Sequence, residues 1–159
     1  MSLIQQTNPE VQARLELALN IAREAGHITL DYFRRPELQV ESKSDDSPVT
    51  VADRQVEQRI RNRIAEVFPE DTILGEELGQ IDRDGRYRWT IDPIDGTKSF
   101  VAGIPLYTTL IGILDGASSQ AGVIYAPATG EMVYAASGGG AWLIEGDSKP
   151  SRARVSQTD

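Results

Sequence analysis

Tyr107-Thr108-Thr109-Leu110-Ile111-Gly112-Ile113-Leu114-Asp115-Gly116 is an apolar, partly β-branched run that ends in an Asp-Gly turn, and its reading decides the fold. The pattern repeats downstream: 121–125 is apolar, Thr129-Gly130 turns, 132–135 is apolar, Gly138-Gly139-Gly140 turns, and 141–144 is apolar again. Short strands separated by turn residues predict an antiparallel meander. Residues 109–114 are apolar enough to predict burial on both faces.

Upstream the period changes. Asn8 before Pro9 offers a side-chain cap and a proline at the first helical position, and Val11, Leu15, Ala18, Ala22 and Ala25 recur at helical spacing, which predicts an amphipathic helix ending before Pro36. Residues 41–47 are polar and read as an exposed loop. Thr50-Val51-Ala52-Asp53 then has capping-box spacing, and Val56, Ile60, Ile64 and Val67 predict a second helix, stopped by Pro69. Strands are expected at 72–74 and 87–91, with Asp84-Gly85 in the loop between them. Two helices followed by a run of strands give an α+β fold, with helices layered on a mostly antiparallel sheet; a parallel doubly wound sheet is the weaker alternative.

Composition narrows the chemistry. The 159 residues carry 24 acidic side chains against 16 Lys and Arg, a net charge of −8, with no Cys and one His. One domain with a substantial core is expected, burying roughly 68–70% of its unfolded surface. The missing Cys excludes thiol nucleophiles, Cys-ligated zinc and iron–sulfur clusters, and the lone His27 leaves little room for histidine-based triads. Cations scattered among carboxylates argue against nucleic-acid and membrane partners. Neither a signal peptide nor a stretch long enough to cross a bilayer is read, so the expectation is a cytoplasmic protein.

The chemistry is concentrated in Trp89-Thr90-Ile91-Asp92-Pro93-Ile94-Asp95-Gly96-Thr97-Lys98-Ser99-Phe100, a strand emptying into a tight turn and a short helix. Pro93 bars Ile91-Asp92 from continuing as helix, so Asp92 and Asp95 can point to one side of the turn. Two convergent carboxylates need a cation; oxygen donors without Cys or a nearby His favour Mg²⁺ or Mn²⁺, with the Ile94 carbonyl as a neutral ligand. Gly96 permits close backbone approach, and the Gly96 and Thr97 amides at a helix start form an anion cradle. Gly75-Glu76-Glu77 follows the earlier strand in the same way, which makes Glu76 the third candidate ligand. Taken separately, Glu76 and Glu77 read as a solvated loop and Asp-Gly as an ordinary turn.

Asp92-Pro93-Ile94-Asp95-Gly96-Thr97, with Gly75-Glu76-Glu77 upstream, resembles the inositol monophosphatase superfamily of Mg²⁺-dependent phosphomonoesterases. The continuation from Lys98 to Leu106, with Ser99 where inositol enzymes usually carry Asn, looks more like the histidinol-phosphate phosphatases of that family. The resemblance implies that Glu76, Asp92 and the Ile94 carbonyl hold a first metal and that Asp92 and Asp95 serve a second. It makes Thr97 a water-orienting hydroxyl, places Asp53 near it in a charge relay, and likens Lys43 to a basic residue of a mobile loop. Asp53 reads equally well as a helix cap, and Lys43 as a solvated loop lysine. His27 reads as a surface or half-buried histidine, Gly138-Gly139-Gly140 as a turn, and Trp89 and Trp142 as packing residues.

Members of the family continue considerably further. By resemblance, residues 1–159 correspond to an N-terminal metal- and phosphate-binding subdomain, and a C-terminal α/β subdomain that supplies a further Asp is absent. The expectation is therefore a truncated, weakly active or inactive chain with a weak second metal site, associating through uncovered apolar surface as a homodimer or larger homo-oligomer. Two functions compete: a Mg²⁺-dependent phosphatase of histidinol phosphate, inositol phosphate or a similar small phosphorylated substrate, and a catalytically inert Mg²⁺-binding or regulatory subunit.

Overall fold

The computed structural model describes residues 7–42 and 48–157. The first helix, α1 (Pro9–Tyr32), begins where the cap predicts: the Asn8 side chain accepts the Glu10 N–H at 2.9 Å. Phe33 turns extended and donates its N–H to the Thr29 carbonyl, ending the helix before Pro36. Two short strands follow, β1 (Val40–Ser42) and β2 (Pro48–Thr50), paired antiparallel. Residues 41–47 are therefore not simply a loop: Glu41 and Ser42 are strand, paired with Val49 and Pro48. Lys43 lies outside the described residues. Helix α2 (Val51–Val67) has the full capping box, with Thr50 bonded to the helix start and Asp53 returning to the Thr50 N–H.

Eight further strands make one sheet. In chain order they are β3 (Thr72–Gly75), β4 (Gly79–Ile81), β5 (Tyr87–Asp95), β6 (Thr108–Asp115), β7 (Ser118–Ala126), β8 (Glu131–Ala136), β9 (Gly140–Glu145) and β10 (Ser151–Arg152). Their spatial order is β10-β9-β8-β7-β6-β5-β3-β4, so β6 to β9 form the expected meander, which β5 and β10 extend at either side. Only β3 against β5 is parallel; β4 folds back on β3 and carries the chain round. A five-residue helix, α3 (Thr97–Val101), joins β5 to β6.

Both long helices cover one face of the sheet, α1 against β6, β7 and β8 and α2 against β5. Between them lies a single apolar core in which Leu15, Ile21, Ile60, Ile73, Trp89 and Ile113 are completely buried. The other face has no helix on it among the described residues. Ile124 is 50% exposed there and Val133 37%. Of 109–114, apolar on both faces, only alternate residues are buried in this chain, because α1 covers one side of β6 and the described residues leave the other apolar side uncovered, as expected. Gly112 opens that second face further, since a Cβ there would meet the Thr90 hydroxyl at 2.5 Å.

Polar groups also enter the core, each with partners. Arg14 forks onto Asp71, Nε to Oδ2 at 2.8 Å and Nη2 to Oδ1 at 2.9 Å, and the Trp89 indole donates to the same Oδ2 at 2.8 Å. The guanidinium is sandwiched between the rings of Phe68 and Tyr87, 4.2 and 4.0 Å from their centroids. Trp89 thus packs as expected; Trp142 is likewise mostly buried, its indole donating to the Gly139 carbonyl and its ring lying under Arg152.

A smaller cluster anchors the end of β5. Ile94, Phe100 and Tyr107 are almost fully buried with Ala52, and Phe100 meets Tyr107 edge-on at 4.8 Å between centroids. α3 is thereby held at the C-terminal end of β5, next to the start of α2.

Candidate active site

Asp92 and Asp95 belong to β5 itself, not to a turn beyond it. The strand alternates buried and half-buried from Tyr87 to Asp92, and then Pro93 and Ile94 are both buried. Asp92 stands opposite Leu110 and Asp95 opposite Thr108, three steps on β5 against two on β6, with the register shifting between them. That is a β-bulge, and Pro93, which has no N–H to give a ladder, sits within it. In an unbroken strand residues three apart face opposite sides. The extra residue shifts the phase, so both acids leave the buried layer. Tying the bulge down, the Asp92 Oδ1 accepts the Ile94 N–H at 3.1 Å and Thr109 donates its hydroxyl to the Pro93 carbonyl at 2.9 Å.

Glu76 arrives from the neighbouring strand. Gly75 is in parallel register with Ile91, and the Glu76 N–H donates to the Ile91 carbonyl at 3.1 Å, so its backbone lies beside Asp92. The electrostatic result is a crowded acidic face. Partial burial, the hydrogen-bonded Glu76 carboxyl and the charges of Glu76 and Asp95 together push the Asp92 carboxyl from an ordinary 3.8 up to about 8. Asp95 is more exposed and accepts from the Thr108 hydroxyl at 3.4 Å. Among the described residues, no three carboxylate or imidazole side chains enclose a common point at ligating distance. What converges is Asp92 with Glu76, with the charge of Asp95 added, beside a cleft of about 400 Å³ floored by Thr90, Leu110 and Gly112.

Gly96 takes φ +87°, and a Cβ on it would lie 2.9 Å from the Leu106 carbonyl oxygen. Both facts demand glycine. Gly96→Ala is expected to destabilise the chain by about 1–2 kcal/mol from the left-handed backbone alone, read as a lower urea midpoint. An unchanged midpoint would mean that this turn relaxes freely.

Thr97 opens α3, and its hydroxyl donates to the Ile94 carbonyl at 3.0 Å. The hydroxyl oxygen therefore keeps its lone pairs for another donor. Asp53 is buried, and its Oδ2 accepts both the N–H and the hydroxyl of Thr50, at 2.8 and 2.6 Å, which is its capping role. Because α3 packs beside β2, the capped start of α2 lies close to α3. His27 is exposed on α1, and Gly138 to Gly140 turn between β8 and β9 with positive φ at the first and third.

Sequence reading passes over Glu57 and Arg61, which look like an ordinary exposed pair four residues apart on a helix. Both are buried, 0% and 4% exposed, on the same stripe of α2 as Asp53. The available signal was their position directly beside the apolar Val56 and Ile60.

A family model, described as the inositol monophosphatase family, matches residues 10–159. A histidinol-phosphatase of Chlorobaculum parvum is 50% identical over 129 residues, 81% of this chain and 50% of that protein. One from Mycobacterium tuberculosis is 39% identical over 142 residues, 89% of this chain and 55% of its own length. The crystal structure of the extragenic suppressor protein suhB from Bartonella henselae superimposes with a TM-score of 0.84 at 33% identity, covering 92% of this chain and 55% of that one. The chain thus spans about half the length of the relatives it matches. With a match over nearly its whole length and a fold shared with solved relatives, the chain belongs to the inositol monophosphatase family.

Proposed function

We propose that the chain is the metal- and phosphate-binding portion of a Mg²⁺-dependent phosphomonoesterase, with histidinol phosphate as its substrate. The crowding of Asp92 by Glu76 and Asp95 at the ends of two adjacent strands carries this reading. A half-buried Asp92 that holds its proton near neutrality beside Glu76 and the charge of Asp95 is suited to a divalent ion, and Mg²⁺ or Mn²⁺ fits an all-oxygen set. Glu76, Asp92 and the Ile94 carbonyl are assigned to a first ion, Asp92 and Asp95 to a second. A bound ion would neutralise phosphoryl oxygens and lower the pKa of a water.

The chain's own groups do the rest. Gly96 lets the Leu106 backbone approach closely and turns the chain into α3, whose first N–H groups have no partner within the helix and would receive a phosphate. Only those local amides count, since a five-residue helix has little dipole. Thr97, with its proton on Ile94, accepts one from a water and orients it; a relay through Asp53 would require that hydroxyl proton to turn from the Ile94 carbonyl to the Asp53 carboxylate. The histidinol phosphate assignment draws support from the two histidinol-phosphatases to which this chain is similar and from Ser99 after Lys98.

The test is Mg²⁺-dependent release of phosphate from histidinol phosphate and from inositol monophosphate by this chain and by a version extended through a C-terminal subdomain. Release from histidinol phosphate at least about tenfold faster is expected, as sites that hydrogen-bond one alcohol discriminate at least that well. Release neither by this chain nor by a version extended through a C-terminal subdomain, with Mn²⁺ still bound, would favour the inert metal-binding subunit instead.

A further inference from the structure

The Glu57 carboxylate accepts three hydrogen bonds. Its Oε2 accepts the Glu77 N–H at 2.7 Å; its Oε1 accepts the Leu78 N–H at 3.1 Å and the Arg61 Nε at 2.8 Å, with the Arg61 Nη2 in ion-pair contact at 2.7 Å. Arg61 continues to the Gly79 carbonyl. One buried ion pair on α2 thus grips the backbone of the turn leaving β3 at three consecutive residues, 77 to 79. Gly75 is shaped to this pair: a Cβ there would lie 2.0 Å from the Glu57 Oε1 and 2.6 Å from the Arg61 Nη2. Glu76 stands between two fixings, its own N–H on the Ile91 carbonyl and the following amides on Glu57.

We propose that Glu57, backed by Arg61, is a positioning residue that holds the 75–78 turn so that the Glu76 carboxylate faces Asp92. The inference rests on the reading of Glu76 and Asp92 as cation ligands, and it adds that their meeting depends on a carboxylate that touches neither cation nor substrate. Burying this pair is otherwise hard to account for as a source of stability, because desolvating two charges offsets most of their attraction.

Its test is a Mn²⁺ titration followed by the electron paramagnetic resonance signal of free Mn²⁺, with hydrogen exchange at the Glu77 and Leu78 amides measured by NMR. The chain, Glu57→Gln, Glu57→Gln/Arg61→Met and Gly75→Ala are compared. The double variant leaves no unpaired buried charge, and Gly75→Ala displaces the carboxylate while keeping both charges, so the test survives if one variant fails to fold. Folded variants are expected to bind Mn²⁺ about 10- to 100-fold more weakly, the usual effect of losing a group that orients a ligand. Exchange at both amides should accelerate. Asp71→Ala is the control for mere instability, and well below its melting temperature it should bind Mn²⁺ as the unaltered chain does. Folded variants with unchanged Mn²⁺ affinity overturn the positioning role. An unaltered chain that binds no Mn²⁺ overturns the cation reading instead; exchange at Glu77 and Leu78 then decides the clamp by itself, and unchanged rates would sink it.

Discussion

Asp92→Asn is expected to abolish the Mg²⁺-induced rise in melting temperature and, in the presence of a chelator at pH 8, to raise the melting temperature above that of the unaltered chain. A carboxylate that binds an ion normally stabilises the protein through it, whereas this one is under strain when alone. Its pKa is lifted from 3.8 to about 8, chiefly by burial and then by Glu76 and Asp95. An acid whose folded pKa is raised keeps its proton longer folded than unfolded. Its favourable contribution is therefore complete below about pH 4 and is lost as pH climbs toward 8. Chelated, the unaltered chain should melt at progressively lower temperature across that window, and Asp92→Asn should flatten this part of the curve.

Adding Mg²⁺ reverses the picture for the unaltered chain only. An ion at 100 times its dissociation constant stabilises by about 2.7 kcal/mol. At roughly 2–4 °C per kcal/mol for a domain of this size, the midpoint rises by about 5–10 °C. Differential scanning calorimetry at pH 5, 6.5 and 8, with chelator and with Mg²⁺, reads all of these effects. An Asp92→Asn chain that still gains several degrees from Mg²⁺ would remove Asp92 from the ligand set.

The second large effect is remote from the site. Asp71→Ala is expected to lower stability by about 3–5 kcal/mol, because it strands the Arg14 guanidinium in the core. Arg14 and Asp71 side chains are only 12% and 3% exposed, and the Trp89 indole loses its acceptor in the same stroke. The midpoint should fall by on the order of 10 °C. Asp71→Asn keeps one acceptor oxygen and should fall in between. Urea unfolding checks both; a loss under about 1 kcal/mol for Asp71→Ala would show that Arg14 finds water instead.

How far sequence reached depended on how local the cause was. α1 and α2 were legible because caps and apolar spacing act within one turn, and Asn8, Thr50 and Asp53 do what their types suggest. The meander was legible from its turns. β1, β4 and β10 were not: three or fewer residues of mostly exposed, unpatterned sequence become strand only because a partner offers a ladder. At the site, the acids were legible by type and spacing, but the device that aligns Asp92 with Asp95 was misplaced. A turn was expected where the structure keeps the strand and slips its register. Glu57 was illegible for a different reason, since an i, i+4 Glu–Arg pair is written alike whether it faces solvent or core.

The extra residue in β5 makes the distance between the two aspartates a matter of odd and even. Deleting Pro93 or Ile94 would leave the two acids two apart in an unbroken strand and still on one side, but it would remove a carbonyl that ties the bulge to the Thr109 or Thr97 hydroxyl. What the extra residue adds is therefore a pair of tethered carbonyls beside the acids, and a one-residue deletion would separate that contribution from the acids themselves.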